Sequence, residues 1–218
     1  MVGQGVLREC LLDPGVEAVV TVGRAATGQQ SPKLHEIVPV DLYDAAPIAE
    51  QIAGFDACFF CLGVSSAGMS EADYRRVTYD LTLGVARALA PRNPAMTFIY
   101  VSGTGTDGTG SGRSMWARVK GATENALMQV PFKATYMFRP GYIQPLHGIV
   151  SRTALYRAAY VVMAPLYPVL KAVFPKHVTT TEQLGRAMLA VARGGYPQQV
   201  LETSDINAIS AASAPQPT

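Results

Sequence analysis

Cysteine is scarce in this chain: three in 218 residues, Cys10, Cys58 and Cys61, each set in apolar sequence. That excludes a disulfide framework and points to a reducing compartment. Cys58 and Cys61 have the spacing of a redox motif, but the run that holds them reads as a strand, where residues three apart point to opposite faces. Dithiol chemistry is therefore not expected. Histidine is as rare, and His35, His147 and His177 are scattered without ligand spacing, so no metal site is expected. Charged residues make up 16% of the chain and the net charge is +2, which lacks the broad basic face of a nucleic-acid binder.

Long hydrophobic runs are missing too. Within 151–175 the longest uncharged run, 158–170, has 13 residues, against the roughly 20 that span a bilayer. The first dozen residues have neither a basic start nor a long apolar core, and Gly3 and Gly5 interrupt them, so no secretory signal is read and a cytoplasmic location is expected. Acid is absent from one long stretch. Between Asn125 and Thr181 stand six basic residues, Lys133, Arg139, Arg152, Arg157, Lys171 and Lys176, and not one Asp or Glu. Such a stretch suits a weak membrane-surface contact through 151–176 or an anionic ligand. The competing reading is a substrate-side cap packed on the core, because Pro165 and Pro168 break any long amphipathic face.

What the chain does have is apolar residues, 49% of the total, enough for one domain spanning 1–218 whose central strands are covered on both faces. Helical spacing over 2–12 ends at Asp13-Pro14-Gly15. Strands are predicted at 18–22, 35–40, 56–62, 97–101, 133–138 and 199–202. Helices are predicted at 44–52, from Ser70 to Pro91 behind a Ser70/Asp73 capping box, at 114–128, and from a Thr179/Glu182 capping box to about Arg193. The alternation argues for a doubly wound parallel α/β sheet. Residues 142–178 are expected to form a small helical substrate cap, and the Ala/Ser/Pro-rich tail 210–218 to be disordered.

In open α/β sheets ligands bind at the carboxyl ends of strands. Ser102 stands where the apolar run Phe98-Ile99-Tyr100-Val101 stops, and Lys120 lies on the helix that follows a Gly/Ser/Thr-rich loop. Both are candidate reaction-site residues. The plainer alternative is a turn serine and a solvated lysine.

The ordered set Val22-Gly23-Arg24, Val40-Asp41, Phe60-Cys61-Leu62-Gly63, Tyr100-Val101-Ser102, Val119-Lys120-Gly121 and Phe138-Arg139-Pro140-Gly141 resembles the NAD(P)-binding epimerase/dehydratase branch of the short-chain dehydrogenases/reductases. Within it the similarity is to the atypical Tat-interacting oxidoreductase-like group. The resemblance implies a Rossmann-like fold and oxidoreductase chemistry on a small carbonyl or hydroxyl substrate. It also implies roles. Arg24 would pair with a 2′-phosphate, favouring NADP over NAD. Asp41 would accept from the adenine amino group, and Leu62-Gly63 would let the backbone approach the cofactor. Lys120 would bind the nicotinamide ribose hydroxyls, and Pro140-Gly141 would pass the nicotinamide amide. Gly3 matches the third glycine of the dinucleotide motif.

Two departures stand out. The family's proton donor is a tyrosine four residues before the lysine; here that position is Trp116, whose indole N–H is neither acid nor base near neutral pH. Tyr100, Tyr136 and Tyr142 are possible replacements. The family's first strand, normally central in the sheet, and the first two glycines of its motif have no counterpart. A reading frame that begins late, at an internal methionine, is the expected reason, with a remnant of impaired cofactor binding as the alternative. A non-catalytic dinucleotide sensor or a membrane-peripheral binding protein is the rival to an enzyme.

Overall fold

The structure, a computed structural model, describes residues 1–39, 41–44, 46–149 and 167–213. Every strand pair in it is parallel. Strands β3 (Ala57–Phe60), β4 (Thr97–Val101), β5 (Ala134–Arg139) and β8 (Val200–Glu202) form a sheet in the order β3-β4-β5-β8. β1 (Val19–Val22) pairs with β2 (Leu34–Ile37), and β6 (Tyr142–Gln144) with β7 (Val178–Thr180). Helices cover both faces, as parallel strands require. The expected doubly wound, Rossmann-like α/β arrangement is present.

The strands bury side chains alternately. Along β4, Phe98 and Tyr100 enter one core with Phe60, Leu83, Leu127 and Met137, while Ile99 enters the other with Val6, Phe138, Leu184 and Leu201. The second core is closed by α1 (Val2–Leu12) lying on α6 (Thr181–Gly194). Their approach depends on glycine. A Cβ at Gly5 would fall 2.7 Å from that of Thr181, and one at Gly185 would fall 2.7 Å from Cγ of Glu9. The first core is closed by α3 (Leu81–Leu89) and α4 (Met115–Leu127).

β1 lends Val20 and Val22 to the first core and Val19 to the second, so it belongs to the same layer as the sheet. Yet among the described residues β1 is bonded only to β2, and β3 only to β4.

Several local expectations are corrected. The stretch 44–52 forms a tighter 3₁₀ helix, Ala46–Ile52, rather than an α-helix. The helix behind Ser70 is capped as expected, Ser70 Oγ accepting from Asp73 N at 3.1 Å, but it runs as α2 (Glu71–Arg75), a π-helical turn (Arg76–Asp80) and α3. At α6 the cap is Thr180, which accepts from Gln183 N at 3.0 Å. Thr180, the last residue of β7, stands directly before α6 and so fills the capping position, one residue beyond Thr179. Residues 210–212, expected to be disordered, end helix α7 (Thr203–Ala212), where Ser210 is buried against the fold; 214–218 lie outside the described residues. Of the cap region 142–178, residues 150–166 lie outside the described residues, and with them most of the stretch read as a membrane-surface contact. The remainder comprises β6, the short helix α5 (Tyr167–Val173) and β7. Among the described residues no helix is long and apolar enough to cross a membrane.

Candidate functional site

Strand β4 carries the site because it is an interior strand, buried from Thr97 to Tyr100 and partly so at Val101, which fixes the position of whatever follows it. Ser102, just past its carboxyl end, extends the ladder by donating its N–H to Phe138 O at 2.9 Å. Its hydroxyl donates to Glu124 Oε1 at 2.5 Å and lies 3.3 Å from Phe138 O. Glu124 sits on α4 at 1% exposure, where an unpaired carboxylate would be untenable. Arg139, at the end of β5, answers it in a fork, through Nε to Oε1 at 3.0 Å and Nη2 to Oε2. The second side of Arg139 faces Glu202, 3.5 Å away.

Lys120 comes from α4 one turn before Glu124. Its Nζ donates to Ser102 O at 2.5 Å, with Val101 O 3.4 Å away and the Tyr100 ring centroid at 5.8 Å. Burial disfavours its charge and pushes its pKa down to about 8, only partly offset by Glu124. The lysine read as a site residue is therefore turned inward, onto the end of β4. Ser102 stands beside it, but with its hydroxyl already committed to Glu124.

The loop after β4 is held in place from α4. Asp107 accepts from Thr109 Oγ1 at 2.6 Å, Thr109 N at 2.9 Å and Gly112 N at 2.7 Å, and these bonds, the Thr109 hydroxyl foremost, hold its carboxyl below the usual range. Asn125 Nδ2 donates to Gly108 O at 2.8 Å, and Arg118 bridges Gly112 O to Glu71. Gly121 lets this loop lie against the helix, since a Cβ there would fall 1.8 Å from Asp107 O. Trp116, in the first turn of α4, places its ring edge over Gly105.

The other expected cofactor residues divide into two groups. Pro140 is buried beside the site, its carbonyl accepting from Thr104 N at 3.1 Å. The tight approach at Gly141 is made by the chain itself: a Cβ there would fall 2.5 Å from His177 O, and its N–H donates to Thr203 Oγ1 at 2.8 Å. Leu62 packs on the first core, and Gly63 after it is exposed with open space where a Cβ would stand. Gly3, in the first turn of α1, faces Cys61 at a would-be Cβ separation of 3.4 Å. Arg24 and Asp41 share no hydrogen bond or ion pair with this cluster among the described residues. Arg24 is exposed and has no hydrogen-bond or ion-pair partner among the described residues; Asp41 is exposed and accepts from Tyr43 N at 2.8 Å in a local turn.

None of the candidate replacement tyrosines stands ready to exchange a proton. Tyr100 is 1% exposed and burial drives its phenol further from ionisation. Tyr136 lies within β5 opposite Ile99, its hydroxyl tied to Tyr196 by accepting from Tyr196 N at 3.0 Å. Tyr142 is part-exposed, donates to Gln144 Oε1 at 2.9 Å, and is also pushed up by burial. Cys58 packs with Phe60 on one face of β3 and Cys61 with Phe59 on the other; burial pushes both thiols up to about 12. Among the described residues no three His, Cys, Asp or Glu side chains are grouped to hold a metal.

Sequence reasoning missed Glu124, Arg139 as its partner, and Gly5. Glu124 carried a signal: it is the last acid before the long acid-free stretch, four residues after Lys120 on the same helix face.

No family model matches the chain. It is 28% identical over 130 residues to a mitochondrial protein of Scheffersomyces stipitis named FMP52-2, covering 58% of this chain and 55% of that protein. To an Aspergillus terreus protein named fmp52-2, also mitochondrial, it is 26% identical over 144 residues, 65% of this chain and 62% of that one. The match thus spans little more than half the length of these curated relatives. Their names overturn the cytoplasmic expectation. The physical reason is that a missing secretory pattern argues only against export, and free thiols do not separate one reducing compartment from another. Among solved structures, the Bordetella bronchiseptica enzyme WbmF in complex with NAD+ superposes with a TM-score of 0.66 at 16% identity, over 97% of this chain and 75% of that one. The Helicobacter pylori ADP-L-glycero-D-manno-heptose-6-epimerase gives 0.64 at 12% identity, over 97% and 78%. A short-chain dehydrogenase/reductase oxidoreductase of Burkholderia thailandensis gives 0.61 at 16%, over 94% and 88%. The chain has the Rossmann-like fold that these enzymes share.

Proposed function

We propose that this chain binds a nicotinamide dinucleotide, NADP in preference to NAD, along the carboxyl edge of β1, β3, β4 and β5, and acts as an oxidoreductase on a small carbonyl or hydroxyl substrate. The observation that carries the reading is Lys120: a largely buried ammonium at the end of the central strand, bonded to the Ser102 carbonyl, with its nearest carboxylate already taken by Arg139. A buried amine with a lowered pKa in such a place marks a candidate site.

The residues present suit the cofactor. α1 starts at Val2 with no side-chain cap and no carboxylate in its first turn, which leaves N–H donors and the positive end of the helix for a pyrophosphate. Gly63 leaves the backbone open where the cofactor would pass. Arg24, exposed and without a partner among the described residues, suits a 2′-phosphate, and Lys120 suits the hydroxyls of the nicotinamide ribose. When bound, the dinucleotide would supply or accept the hydride. Ser102, locked by Glu124, would hold the Lys120 ammonium through its carbonyl rather than touch substrate through its hydroxyl.

A second reading is favoured by one observation: at the place of the family tyrosine stands Trp116, and Tyr100 is sealed in the core. On this reading the chain is a non-catalytic dinucleotide-binding sensor. Titration of NADPH, followed by its fluorescence, tests what both readings share, and saturable binding weakened by Lys120→Met is expected. Absence of binding overturns both. Where NADPH binds, its consumption against a panel of carbonyl compounds separates the enzyme from the sensor.

A further inference from the structure

We infer that the turn leaving α5, Val173-Phe174 set between Lys171 and Lys176, is a docking surface for an anionic lipid membrane. The proposal goes beyond the nucleotide site and does not depend on it. Residues 171–177 are all exposed, and within them Val173 is 59% and Phe174 52% exposed. Two neighbouring large apolar side chains in water, with a lysine on either side, form the pairing that an interface between headgroups and acyl chains accommodates.

The turn is presented rigidly. Phe174 N donates to Leu170 O at 2.8 Å and His177 N donates back to Phe174 O at 3.0 Å, so the apolar tip closes on itself. Asn207 on α7 clamps the base of the turn through Nδ2, to Pro175 O at 3.2 Å and Val178 O at 2.9 Å. A tip ordered in advance loses little freedom on insertion.

Charge selects the kind of surface. No acid occurs from Asn125 to Thr181. The single acid of α7, Asp205, accepts from Glu202 N at 2.9 Å, and Glu182 of α6 is paired with both His147 and Arg186. Lys171, its Nζ 5.9 Å from the Tyr167 ring centroid, and Lys176 are thus exposed with no carboxylate partner among the described residues, and complement a negatively charged bilayer rather than a neutral one. Each lysine near such a surface strengthens partitioning about five-fold at low salt, and the gain fades as salt shortens the reach of the charges.

Flotation of the full chain with vesicles of phosphatidylcholine alone, and of phosphatidylcholine mixed with phosphatidylserine, tests this. Binding to the mixed vesicles only, weakened by added salt, is expected. Phe174→Ser should lose it. Lys171→Gln with Lys176→Gln should lower it by about five-fold per lysine. Unchanged thermal melts for these exposed positions will separate lost docking from lost folding. Failure to float with anionic vesicles overturns the proposal, as does flotation that ignores all these substitutions. Self-association that Phe174→Ser abolishes, seen by light scattering without vesicle binding, would also overturn it and assign the turn to a second copy of the chain.

Discussion

Ser102 gives its hydroxyl hydrogen to Glu124 at 2.5 Å, and with Arg139 the two residues tie the ends of β4 and β5 to the middle of α4. The carboxylate is almost wholly out of water, so its partners are obligatory. Glu124→Ala leaves the Arg139 guanidinium and the Ser102 hydroxyl facing an apolar gap and should cost about 3–5 kcal/mol of stability. Urea unfolding of the two proteins measures it; a loss under 1 kcal/mol, the usual limit for an exposed pair, would mean the pair is open to water.

Lys120 makes stability rise with pH in a defined window. Its folded pKa of about 8 lies below that of a free lysine, so between these two values the unfolded chain holds a proton that the folded chain has released. Stability from this group therefore increases from about pH 8 to about 10.5, with a slope that approaches 1.4 kcal/mol per pH unit at most. Lys120→Met should flatten that rise. Urea midpoints at a series of alkaline pH values, wild type beside variant, give the comparison.

Arg24 sets the choice of dinucleotide under the proposed function. Arg24→Ala removes a charge-assisted contact worth about 1.5–3 kcal/mol. The Kd for NADPH should rise about 10- to 100-fold while that for NADH stays within two-fold, roughly the scatter of an unaffected contact. Equal loss of both would place the guanidinium away from the 2′-phosphate.

Trp116 is the limiting residue if the site is catalytic. Residues 116 and 120 share one face of α4, so Trp116→Tyr would put a phenol one turn before an ammonium that favours its ionised form. Turnover of NADPH with a carbonyl substrate should rise by about 100-fold, the lower range for a positioned acid. A variant that binds NADPH and gains nothing would favour the sensor.

The sheet was legible because its signals are local: β-branched and aromatic runs bounded by Gly, Pro and Asp gave β1, β3, β4 and β5 to within a residue or two at most ends. Ser70 was legible as a cap because its partner Asp73 lies three residues on. Thr180 was misread as Thr179 because two adjacent threonines offer the same chemistry; both pair in β7, and only the point where the helix begins decides which one caps it. The candidate site was half legible. Strand-end residues announced themselves by position, as at Ser102 and Pro140. The pairing of Glu124 with Arg139 joins groups 15 residues apart on different elements, and no pattern within either element encodes it. Gly5 gave no sign either, since its need arises only where Thr181 crosses it.

The alternation of β3 has one more consequence. Cys58 packs, partly buried, against one core, and the partly buried Cys61 and the buried Cys10 belong to the other, with all three thiols held almost fully protonated at neutral pH. Alkylation of Cys10 therefore waits for the layer above it to lift, while at the partly exposed Cys58 and Cys61 it is slowed by the scarcity of thiolate. The chain thus carries one built-in clock, Cys10 of α1, whose rate read against those of Cys58 and Cys61 tells when that helix comes away.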